Sequence, residues 1–105
     1  MVLKDDFHLK EERMHTDEYE ISLAREINHC QQVVNKIERA VEKNHKRYGM
    51  DCTAAAQAVT EGRLTMTPKE MTGWQEDVEA LPGWQQRLKE YREALSVMRI
   101  SASRF

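Results

Sequence analysis

Two long apolar stripes with helical spacing constrain this chain more than any other feature. The first runs through Leu23, Ile27, Cys30, Val34, Ile37 and Val41 in alternating steps of four and three. The second runs through Met71, Trp74, Val78, Leu81, Trp84, Leu88, Tyr91, Leu95 and Met98 with the same spacing, apart from two consecutive steps of three at Val78, Leu81 and Trp84. Steps of three and four keep side chains on one face of an α-helix, and such a seam is buried against another helix. The predicted fold is therefore all-α. It is a long antiparallel helical hairpin with a short helix in the connector, completing a helix bundle by oligomerisation.

Local signals set the expected boundaries. Thr16 is a good N-cap, with Asp17, Glu18 and Glu20 after it in the first turn. No proline or glycine interrupts the chain from there to Gly49, which stands where a left-handed C-cap belongs. A helix of that length is roughly 48 Å long. Residues 1–15 read either as a short N-terminal arm packing on the bundle or as a frayed helical turn, with Phe7 and Leu9 as the large apolar residues after Leu3. In the connector, Asp51 or Thr53 caps a short alanine-rich helix that stops at Gly62. Thr67-Pro68-Lys69-Glu70 has the form of a capping box with proline at the first helical position. Pro82 and Gly83 fall inside the second stripe. Because the stripe continues through Leu81 and Trp84, one kinked helix is favoured over two.

The chain has 105 residues, enough for a single helical domain spanning 1–105. Only 7% of residues are aromatic and 32% are charged. Two helices side by side bury little surface, so self-association, most simply as a homodimer, or a protein partner is expected to cover the rest. Net charge is -2, and the first 50 residues carry 9 Lys/Arg against 10 Asp/Glu. With no basic arm, nucleic acid is not an expected partner. No apolar run approaches the ~18 residues of a membrane span, and the first residues have no signal-peptide core. A cytoplasmic location is expected, with Cys30 and Cys52 as free thiols.

Several constellations invite a chemical reading. Glu12-Arg13-Met14-His15 and Glu42-Lys43-Asn44-His45 each have the Glu-x-x-His form of carboxylate metal sites. Placed on one rod they stand about 45 Å apart, so they do not form one intramolecular site. His29 and Cys30 are adjacent, and adjacent helical residues point about 100° apart, which removes a thiol–imidazole pair. Arg39 and His45 have the Arg-x(4–6)-His spacing found in the HEPN ribonucleases, but both lie near the end of one charged helix. No catalytic residue, metal site or cofactor is expected. The residues with the strongest claim on function are Trp74, Trp84, Leu88 and Tyr91, on the second stripe. Large aromatic side chains dominate interface energies, so these four are the expected partner-binding anchors.

From the connector onward the sequence resembles a group of small helical prokaryotic proteins. The features in common are the Tyr48-Gly49-Met50-Asp51 turn, a short helix ending at Gly62, and a long helix bearing Trp74 and heptad leucines. The resemblance covers roughly residues 46–95. Some members look like the antitoxin or partner half of two-gene toxin–antitoxin modules. This chain departs from the pattern at Leu81-Pro82-Gly83 and in its N-terminal arm. The resemblance implies a non-enzymatic protein that inhibits a small toxin enzyme by covering its active surface. The alternatives are a phage- or defence-related binding protein, a helical structural subunit of a larger assembly, and a carboxylate-bridged metalloprotein.

Overall fold

The computed structural model describes the backbone of residues 2–103 and the side chains of residues 18–99. Three helices follow one another: α1 (Val2–Tyr48), α2 (Cys52–Thr60) and α3 (Pro68–Ser103). Among the described residues there is no strand. The molecule measures 74 × 32 × 15 Å, a slab about one helix thick.

α1 begins well ahead of the Thr16 cap that the sequence favours. The physical reason lies in the preceding residues. Lys10-Glu11-Glu12-Arg13-Met14 are good helix formers without glycine or proline, so nothing stops the helix there. At 47 residues, α1 is about 70 Å long. It ends in a left-handed cap. Gly49 has φ +67, and its N–H donates to the His45 carbonyl at 2.8 Å.

Asp51, rather than Thr53, caps α2, with its carboxylate accepting from the Ala54 N–H at 2.8 Å. The helix closes in a Schellman motif. Arg63 N–H donates to the Ala58 carbonyl at 2.8 Å and Gly62 N–H to the Val59 carbonyl at 3.1 Å. Gly62 holds φ +74 there. α3 starts with the Thr67 hydroxyl accepting from the Glu70 N–H at 3.1 Å. This is one half of the expected capping box. The Glu70 carboxylate accepts instead from the Tyr48 hydroxyl at 3.3 Å, which ties the start of α3 to the end of α1.

α3 is continuous through Pro82. Proline cannot donate to the carbonyl four residues back, which here belongs to Val78. Pro82, Gly83 and Val78 are all exposed, so that carbonyl stands on a side of the helix that water reaches. An unpaired carbonyl costs far less in water than in a core.

α1 packs against α3, and α2 packs on α3. The seam buries Leu23, Cys30, Val34, Trp74 and Leu88, and α2 buries Ala55 and Ala58. Ile27, Leu81, Trp84 and Tyr91 are partly buried against the cluster of Cys30, Val34 and Leu88. Val78 belongs to the second stripe but is 39% exposed. The two steps of three after it shift the stripe around the helix and leave Val78 on its margin.

Gly62→Ala places a Cβ in the left-handed region and should cost about 1 kcal/mol of stability, read by urea denaturation. Asp51→Ala should cost a similar ~1 kcal/mol by orphaning the Ala54 N–H.

Candidate functional site

The four expected anchor residues occupy different environments. Trp74 is 1% exposed, the largest fully buried side chain described. Its ring stacks on Tyr48, with centroids 5.6 Å apart and planes 24° from parallel. Its indole N–H has no hydrogen-bond acceptor. Leaving that donor unpaired costs ~1–3 kcal/mol. Burying roughly 200 Å² of ring at about 25 cal/mol/Å² returns about 5 kcal/mol, so packing wins. Leu88 is also buried, in the cluster with Cys30 and Val34. Both residues are packed within this chain.

Trp84 and Tyr91 are half-buried. The edge of one ring meets the face of the other between His29 and Trp84, with centroids 5.8 Å apart. The Arg87 guanidinium lies 4.7 Å from the centre of the Trp84 ring. A cation over an indole face adds about 0.5–1 kcal/mol at an exposed site. Trp84 therefore has neighbours on two sides and still meets solvent.

The two sides of the α1–α3 seam differ in chemistry. On one side, a shallow groove has Val34 and Leu88 as its floor and Gln31, Glu38, Gln85, Lys89 and Arg92 along its walls. Arg92 donates to the Gln31 side-chain oxygen across this groove. Farther along, Arg99 pairs with Glu20 at 3.4 Å. Arg99 is largely in solvent and Glu20 partly so, and such a pair contributes ~0–1 kcal/mol. On the other side lie His29 and Trp84. His29 and Gln31 are two residues apart, which turns them about 200° around α1. That side continues through half-buried Val33, Ile37 and Ala40 on α1, and through Tyr91 and Ala94 on α3.

The thiols differ as well. Cys30 is fully buried, a small apolar residue of the core. Cys52 is half-buried near Asp51 and Glu79. Desolvation first, and then those carboxylates, push its thiol above the ordinary value, which keeps it protonated and slow as a nucleophile.

Of the two Glu-x-x-His pairs, Glu12 and His15 lie outside the described side chains. Glu42 pairs with Lys46 at 3.6 Å on the exposed side of α1, and His45 is exposed. Among the described residues, no three His, Cys, Asp or Glu side chains converge. Arg39 lies in a shallow hollow with Glu38, Glu42, Lys43 and Lys46, where both signs of charge meet solvent. Among the described residues, no helix is long and apolar enough to cross a membrane.

No protein-family model, curated protein or solved structure matches this chain. Sequence reasoning could not separate Trp74 from Trp84, because both lie on the same stripe. The signal that does separate them is the Tyr48–Trp74 stack, which depends on how the connector folds back.

Trp74→Ala should cost about 3–5 kcal/mol, the range for emptying a buried aromatic site. Trp84→Ala, at a half-exposed position, should cost clearly less. Thermal melting followed by circular dichroism reads both. Equal losses would place the two rings in equivalent surroundings, against the burial described here.

Proposed function

We propose that this chain is a non-enzymatic protein–protein interaction module. In this reading it is a long antiparallel helical hairpin that completes a helix bundle with a second copy and holds another protein. The form that the sequence resemblance favours is an antitoxin-like inhibitor of a small toxin enzyme, working in the cytoplasm. Such an inhibitor needs no catalytic group of its own. It needs a rigid helical surface with aromatic anchors and a polar rim.

The observation that carries the reading is the amount of surface left uncovered. Among the described residues the α1–α3 seam buries only Leu23, Cys30, Val34, Trp74 and Leu88, and Ile27, Leu81, Trp84 and Tyr91 stop at partial burial. Two helices side by side cover only the stripe between them. Tyr19, Ile21 and Val97 add to the uncovered surface, each more than half exposed. Surface of this kind is what a binding protein presents to its partner.

Of the four anchors, Trp84 and Tyr91 are those a partner reaches without opening the seam. The test is Trp84→Ala, with helicity, melting and partner capture measured on the same preparation. Capture lost from a folded variant supports the reading, especially if the captured protein is a small enzyme encoded beside this chain. If the wild-type chain recovers no protein partner from its native host, the binding-module reading is abandoned.

A further inference from the structure

Pro82 and Gly83 divide α3 into two lengths that are held very differently. Before them the helix is fastened from several sides. Trp74 is buried and stacked on Tyr48, Glu70 accepts from the Tyr48 hydroxyl, and α2 packs on α3 with Ala55 and Ala58 buried. Beyond them, among the described side chains of α3, Leu88 alone is buried, in the cluster with Cys30 and Val34 of α1. Trp84, Tyr91, Leu95 and Met98 stop at half burial. The polar links of this length to α1, Arg92 to Gln31 and Arg99 to Glu20, are open to solvent and hold it only weakly.

The helix is weakest where the two lengths meet. Pro82 withholds the N–H that the Val78 carbonyl would accept, and its ring crowds that same carbonyl. Gly83 follows, and glycine has more backbone freedom than any other residue. Neither residue is pinned by packing. Both are exposed, and a Cβ at Gly83 would meet no atom within 4 Å. No α3 side chain between Trp74 and Leu88 is buried, over about 20 Å of helix. We propose that Pro82–Gly83 is a hinge, on which the length of α3 beyond it parts from α1 as a unit while the connector end stays closed. The opening uncovers Cys30, Val34 and Leu88. It is a property of the single chain and stands whether or not a partner is captured. Firm packing at one end and sparse packing at the other is the condition under which part of a fold opens before the whole.

Cys30 reports the opening, because its thiol is 0% exposed and reacts only when the seam parts. The full chain is treated with a maleimide across a series of low urea concentrations, and peptide mass spectrometry separates Cys30 from the half-buried Cys52. Hydrogen exchange at the amides around Tyr48 and Trp74 follows the connector end in the same series. In the wild-type chain, the state that exposes Cys30 should be about ten-fold or more better populated than the state that exchanges those amides. It should also depend less steeply on urea, since a partial opening exposes less surface. Pro82→Ala combined with Gly83→Ala supplies the missing N–H and removes the glycine. This variant should stay helical by circular dichroism and slow Cys30 labelling about ten-fold or more relative to exchange at Tyr48 and Trp74. Gly83→Ala alone should move the same ratio in the same direction by less, and it decides the question if the double variant loses helicity. Equal populations and equal urea dependence at Cys30 and at the Trp74 amides would make the fold one cooperative unit and overturn the proposal. A ratio unchanged in the variants would also overturn it, because an opening carried by α1 does not pass through Pro82.

Discussion

A helix laid against one neighbour can bury only one stripe of its surface, and this constraint shapes everything else in the molecule. α1 and α3 each have one long neighbour, and the slab they form is 15 Å thick. The described core is correspondingly small: Leu23, Cys30, Val34, Trp74 and Leu88 along the seam, with Ala55 and Ala58 under α2. Most other apolar side chains of the two stripes stop at half burial. In a globular domain a second layer would cover them. In the function proposed above, another molecule supplies that layer.

The connector positions the seam. Three local devices act in succession: the left-handed cap at Gly49, the Asp51 cap of α2, and the Schellman turn at Gly62. Together they return the chain so that Trp74 stacks on Tyr48 and Glu70 accepts from the Tyr48 hydroxyl. The end of α1 is thereby fastened to the start of α3. From that point the register of the two stripes follows from their spacing. α2 adds its buried alanines, and the small size of alanine lets its backbone approach α3 closely.

Much of this could be read from sequence, because the turns depend on short-range chemistry. Gly49 and Gly62 are needed where φ is positive, and Asp51 and Thr67 where a helix begins with unpaired N–H groups. The continuity of α3 through Pro82 was also legible, since the stripe does not lapse there. The start of α1 was not. Thr16 is a competent cap, but a cap acts only where the helix stops, and the residues before it favour continuation. The environments of the tryptophans were not legible either. Spacing puts Trp74 and Trp84 on one stripe, whereas their burial depends on Tyr48 and the connector in one case and on His29 and Arg87 in the other. Those contacts lie far apart in sequence and leave no periodic trace.

The central claim is that this fold is one layer of a two-layer structure, stable because a second molecule supplies the other. The most direct measurement is the melting temperature of the wild-type chain as a function of its own concentration. When unfolding is coupled to dissociation, mass action makes the midpoint rise with protein concentration. The account predicts a melting temperature that climbs steadily from low to high micromolar chain, with helicity lost in the same transition. A cooperative transition whose midpoint is independent of concentration would mean that one copy is sufficient, and would contradict it.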